Sequence, residues 1–164
     1  MLDAVSQSVN RAAEWVMAVL LAAMALLTGA QIAGRFLFGY SIFWSDEAAR
    51  FLLIWVAFLG MSVGVRRGAH PGVDSLVRAL PPRRAGIAAR VALFLSLLFF
   101  LMLVVYGGVL VQRTWLQRSP SLGLRMSLPY LAVPVAGLLM GLHAAAVGLR
   151  GASLPAAGEE GYRE

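Results

Sequence analysis

Long apolar runs separated by short clusters of charge dominate the pattern along this chain. Between Glu14 and Arg35 lie twenty uncharged residues, Trp15 to Gly34. At about 1.5 Å per residue, such a run makes a helix of roughly 30 Å, the thickness of a bilayer's hydrocarbon core. The next uncharged run, Phe51 to Val65, has only fifteen residues. It gains length at its front, where Ser45 can cap a helix starting at Asp46 and two carboxylates, Asp46 and Glu47, suit the positive end of the helix dipole. Val91 to Gln112 gives twenty-two uncharged residues and Met126 to Leu149 gives twenty-four. In the last run Ser127 is a candidate N-cap, Pro129 is tolerated in a first turn, and Pro134 predicts a kink. The pattern predicts an all-α integral membrane protein with four transmembrane helices, about 15–34, 46–65, 91–112 and 127–149, in one domain over residues 1–150.

Between the second and third spans, Val73, Leu76, Val77 and Leu80 recur at i, i+3, i+4 and i+7. This spacing predicts a short cytoplasmic amphipathic helix on the membrane surface, stopped by Pro81-Pro82, with Arg83-Arg84 able to meet lipid phosphates. The segment 151–164 is rich in Gly, Ala and Glu and is expected to be a disordered cytoplasmic tail. Thr28-Gly29-Ala30 resembles a signal-peptide cleavage site, but the first run is longer than the roughly 7–15 apolar residues of a signal peptide, so a span is expected there.

Composition strengthens the membrane reading. With 60% hydrophobic and 13% charged residues in 164, and a mean hydropathy of +0.77, the chain carries more apolar surface than one small soluble core can hide. Its basic residues are fourteen arginines with no lysine, against eight acids. In so apolar a chain the +6 charge points to anionic membrane lipids, and no nucleic-acid partner is expected. The lack of cysteine excludes disulfides, thiolate metal sites and thiol nucleophiles. Nine arginines fall on the side of the N terminus, the second loop and the tail, and five on the other. The positive-inside rule then predicts both termini in the cytoplasm. Trp44 and Trp115 would mark the outer interface and Trp15 the inner one, while Trp55 falls mid-span, where it packs or meets lipid.

A pump, channel or carrier of polar solutes needs ionisable or strongly polar groups at membrane depth. Within the four runs the polar residues are Thr28, Gln31, Ser62, Ser96, Gln112, Ser127 and His143, with Asp46, Glu47 and Arg50 at one helix mouth. Hydroxyls in such helices mostly bond to their own backbone. His143 is expected to make a helix–helix hydrogen bond, since a membrane haem wants a second axial ligand at similar depth and the other histidine, His70, is in a loop. His70 belongs to a basic turn with Arg66 and Arg67. No cofactor is expected.

Asp46 and Arg50 stand at i, i+4 and Glu47 and Arg50 at i, i+3, so one arginine can neutralise either carboxylate at the bilayer edge. Alternatively, Glu47 or Arg50 turns to a partner subunit. Gly60-Met-Ser-Val-Gly64 and Gly137-Leu-Leu-Met-Gly141 each make a flat face for close helix approach.

Together these residues carry a resemblance. The runs Gly34-Arg35-Phe36, Trp44-Ser45-Asp46-Glu47-Ala48-Ala49-Arg50, Trp55-Val-Ala-Phe58-Leu-Gly60 and Val65-Arg66-Arg67-Gly68-Ala69-His70, followed by Val73-Asp74 and Leu80-Pro81-Pro82, resemble the small membrane subunit of tripartite ATP-independent periplasmic (TRAP) transporters, DctQ type. The block Ser119-Pro120-Ser121-Leu122-Gly123-Leu124, with Leu128-Pro129-Tyr130 and Pro134-Val-Ala-Gly137, is similar to the family's approach to its fourth helix. Asp46 departs from a glutamate frequent in the family, and Pro129 from a bulky residue.

The resemblance implies a noncatalytic four-helix subunit in a bacterial inner membrane. It would pack against a large permease subunit that carries an organic acid, such as a dicarboxylate or sialic acid, with sodium. A periplasmic solute-binding protein would be the third part. Charge, small-residue spacing and the resemblance together mark Arg35, Trp44, Glu47, Arg50, Trp55, Gly60, Gly64, Gly137 and Gly141 as a subunit interface or structural motif, and Arg66, Arg67, His70 and Asp74 as a cytoplasmic loop motif. Two other classes compete. A small proton-coupled exporter would carry a carboxylate deep in helix one, where Glu14 sits only at the edge. A redox-enzyme anchor would need paired histidines at one depth.

Overall fold

A computed structural model of the chain describes residues 2–40, 42–67 and 81–151. They form five helices: α1 Leu2–Phe38, α2 Ser45–Arg66, α3 Pro82–Arg113, α4 Ser127–Tyr130 and α5 Ala132–Gly151. Four stretches are long and apolar enough to cross a bilayer, Ala4–Phe38, Ser45–Arg66, Arg84–Arg113 and Ser127–Gly148, the last built from α4 and α5. The protein is an all-α integral membrane protein. The amphipathic pattern over 73–80, His70, Asp74 and the tail from residue 152 lie outside the described residues.

Charge-free runs mark only the part of a helix that hydrocarbon can surround, and here the helices continue past them. α1 begins at Leu2, well before Trp15, and α3 begins at Pro82, ahead of Val91. Two of the charges in these extensions have partners: Glu14 pairs with Arg67 at 2.9 Å, and Arg90 Nε donates to the Gly86 carbonyl at 3.3 Å. Both serine caps require correction. Ser45 is the first residue of α2, whose N-cap is Trp44 with no side-chain bond. The Ser45 hydroxyl instead donates to the Ile42 carbonyl at 2.5 Å. Met126, not Ser127, is the N-cap of α4, and the buried Ser127 hydroxyl has no hydrogen-bond partner among the described residues. The fourth span breaks at Leu131, between α4 and α5. Pro134 has no N–H to offer the Tyr130 carbonyl one turn earlier, so the ladder is interrupted there.

The helices lie in the order α1, α2, α5, α3, with α1 also touching α5, and α1 and α3 do not meet among the described residues. α1 turns a single stripe inward: Ala13, Met17, Leu20, Met24, Leu27, Gln31 and Gly34, at alternating spacings of three and four. That is the seam of two helices packed at a shallow angle. Ala13, Leu59 and Val63 form the core between α1 and α2, with Met17, Leu20 and Trp55 against it. Phe100, Ala136, Met140 and Ala144 form the core between α3 and α5. Glycines let those helices close up, Gly107 and Gly137 against the least yielding neighbours. A Cβ on Gly107 would stand 2.8 Å from Pro134 Cδ, and one on Gly137 would stand 3.0 Å from the Phe100 carbonyl oxygen. The outer faces remain apolar and exposed, among them Trp15, Val19, Leu26 and Ile32 on α1 and Phe94, Leu101 and Tyr106 on α3. Such faces are stable against lipid tails, which are as apolar as leucine.

Candidate functional site

The connection between α3 and α4 folds back on itself. Thr114 closes α3, its Oγ1 donating to the Leu110 carbonyl at 2.8 Å. Ser119 N–H then bonds Leu124 O at 2.8 Å, Gly123 N–H bonds Ser119 O at 3.1 Å, and Met126 N–H bonds Gln117 O at 3.0 Å. Gly123 has a φ of 66°, a left-handed conformation in which an L side chain would be strained. Arg118 Nη1 donates to the Gly123 carbonyl at 2.9 Å, and the Arg125 guanidinium sits 4.8 Å from the centre of a Trp115 ring.

This turn docks on α2 through one oxygen. Glu47 Oε2 accepts the N–H of Ser121 at 2.8 Å and that of Leu122 at 3.0 Å. Its neighbour looks the other way: Asp46 Oδ1 accepts from Gln31 Nε2 of α1 at 2.9 Å. The expected pairing of Arg50 with Asp46 or Glu47 is therefore corrected. Two preplaced backbone donors converge on Glu47 without ordering a long side chain, an advantage over an exposed arginine. Arg50 is exposed and has no hydrogen bond or ion pair among the described residues. It opens on a groove of about 260 Å³ between α2 and the α3–α4 turn, lined also by Phe51, Ile54, Met126, Pro129 and Tyr130.

The opposite end holds a second cluster. Ser6 and His143, 137 residues apart, approach to 2.8 Å between Oγ and Nδ1, both buried. Arg66 Nη1 donates to Ser6 Oγ at 2.6 Å. α1, α2 and α5 are thereby pinned together at one point, beside the Arg67–Glu14 pair. His143 Nε2 is buried without a partner among the described residues. Among them no group of three or more His, Asp or Glu could hold a metal ion.

The remaining sequence candidates scatter. Arg35 is exposed in the last turn of α1, Trp44 is 38% exposed ahead of α2, and Trp55 packs in the α1–α2 core. Gly60 faces α1, where an added Cβ would stand 3.5 Å from Met17 Sδ, while one on Gly64 or Gly141 would meet nothing within 4 Å. Sequence reasoning missed Ser6 and Gly107, and it named Ser121 and Leu122 without their tie to Glu47. The adjacent Gly107-Gly108 inside an apolar run was the one available signal of a close helix contact.

Residues 24–153 match the family of tripartite ATP-independent periplasmic transporters, DctQ component. The C4-dicarboxylate TRAP transporter small permease protein DctQ of Vibrio cholerae is 33% identical over 116 residues, 68% of this chain and 50% of that protein. The ectoine TRAP transporter small permease protein TeaB of Halomonas elongata is 34% identical over 122 residues, 73% of this chain and 63% of its own length. The isethionate TRAP transporter permease protein DctMQ of Oleidesulfovibrio alaskensis is 32% identical over 102 residues, 61% of this chain but only 16% of that protein. The chain thus spans about half to two thirds of the two small permeases. With most of its length inside the family match, the chain belongs to the DctQ component family of tripartite ATP-independent periplasmic transporters.

Proposed function

We propose that this chain is the noncatalytic membrane subunit that braces a large permease subunit in a bacterial inner membrane. In this reading the large subunit carries an organic acid with sodium, a periplasmic solute-binding protein delivers it, and both termini of this chain face the cytoplasm. The observation that carries the reading is where the charge lies. In the described spans the arginines and carboxylates sit at the two ends, Arg11, Glu14, Arg66, Arg67, Arg84 and Arg90 at one and Arg35, Asp46, Glu47, Arg50 and Arg113 at the other. A charged solute crossing this bundle would find no ionisable group midway to replace its water.

The DctMQ relative supports the pairing with a large subunit, because the segment similar to this chain is a sixth of a much longer permease protein. Gly64 and Gly141, open to close approach, suit contact with a partner's helix. The test has two arms. Reconstituted alone in proteoliposomes under a sodium gradient, the chain should take up no organic acid, and tagged chain should recover the large subunit from membranes. Uptake without a large subunit would defeat the bracing role.

A further inference from the structure

The groove beside Arg50 combines features that a lipid matches and that the bundle itself leaves unused. Phe51, Ile54, Met126 and Pro129 give it apolar walls, and its other lining residues include Glu47 and two that carry donors, Arg50 and Tyr130. Neither donor has a hydrogen-bond partner among the described residues. The nearby acids are committed elsewhere, Glu47 to the N–H groups of Ser121 and Leu122 and Asp46 to Gln31. At this end of the bundle the described residues carry five arginines, Arg35, Arg50, Arg113, Arg118 and Arg125, against those two acids. Exposed Tyr40, Trp44 and Trp115 share the same end, the amphipathic aromatics of a headgroup zone.

We propose that this groove seats one glycerophospholipid, its phosphate on Arg50 and one acyl chain along Ile54 and Met126. A guanidinium is matched to phosphate geometry. A carboxylate from a partner protein could take the charge, but the apolar cover would then have to come from other side chains of that partner. A lipid satisfies both. It also lies between α2 and the α4 segment, so it would bridge the Glu47-clamped turn to the helix that clamps it.

The test uses full-length chain in native membranes, with every subunit that accompanies it, and a phosphatidylglycerol bearing a diazirine on its acyl chain. Irradiation should label peptides containing Phe51–Ile54 and Met126–Tyr130. Arg50→Gln should reduce that labelling about tenfold, the loss of one charge-assisted hydrogen bond. Arg50→Lys should retain most of it, and labelling of Phe94 and Leu101 on the outer face of α3 should stay unchanged in both variants. A diazirine diacylglycerol, which lacks phosphate, should label the groove no better than the Arg50→Gln background. Equal groove labelling in wild type and Arg50→Gln, or by diacylglycerol, would overturn the proposal. So would a groove left unlabelled in wild type while α3 is labelled, the outcome expected if a protein side chain fills it.

Discussion

Two adjacent carboxylates at the start of α2 do different work, and a third charge is left over. Glu47 holds a turn of backbone, Asp46 holds a glutamine of α1, and Arg50 faces outward. The clamp predicts a local effect of mutation. Glu47→Gln keeps an acceptor of the same shape but removes its charge, so amide hydrogen exchange at Ser121 and Leu122 should rise several-fold, and Glu47→Ala should raise it further. Exchange at Thr114 and Trp115, bonded within the α3 terminus, should not change. Unaltered exchange at Ser121 and Leu122 in both variants would remove the clamp. The motif around Glu47 was legible in sequence because charge at a helix mouth stands out in an apolar chain. Its partner was not, since a carboxylate at i, i+3 from an arginine advertises an ion pair, while two backbone N–H groups some seventy residues away have no sequence signature.

At the scale of elements, charge-free length located all four spans and the ends of the second and fourth, but not the starts of the first and third, because a helix can run through the headgroup zone wherever its charges find water or each other. The break near Pro134 was readable from chemistry alone. The small-residue motifs were readable only in part. Gly137 lies under α3, whereas Gly64 and Gly141 face open space, and Gly107, outside either motif, presses closest to the Pro134 ring. Spacing selects a helix face without saying which neighbour occupies it. The consequence is a ranking of substitutions. Gly107→Ala and Gly137→Ala must push against Pro134 and the Phe100 backbone, rigid groups that cannot swing aside, and should cost about 1–3 kcal/mol. Gly64→Ala and Gly141→Ala should stay within about 0.5 kcal/mol of wild type. Thermal unfolding of purified protein in one detergent checks the order, and equal destabilisation by all four would show that the α3–α5 contact is looser than the geometry indicates.

At the scale of the whole molecule, the bundle has two unlike ends. One gathers Ser6, Arg66, His143 and the Arg67–Glu14 pair, and the other the Glu47 clamp and the groove at Arg50. Because Ser6 and Glu14 of α1 meet Arg66 and Arg67 of α2, the N-terminal turns of α1 share an end with the loop that follows α2, as four crossing helices require. Orientation then reduces to one binary question, on which arginine counting makes a prediction: nine fall on the side of that loop and five on the other, which puts that loop in the cytoplasm. The chain has no cysteine, so single cysteines report without background. Ser8 and Gln117 are exposed and stand at opposite ends. In spheroplasts, Gln117→Cys should react with an impermeant maleimide directly, and Ser8→Cys only after the membrane is opened. The reverse pattern would invert the bundle, putting the Ser6–Arg66–His143 cluster outside and the Arg50 groove at the cytoplasmic leaflet. Reaction at both sites without opening the membrane would mean that the two ends do not lie on opposite faces, against the four-span architecture itself.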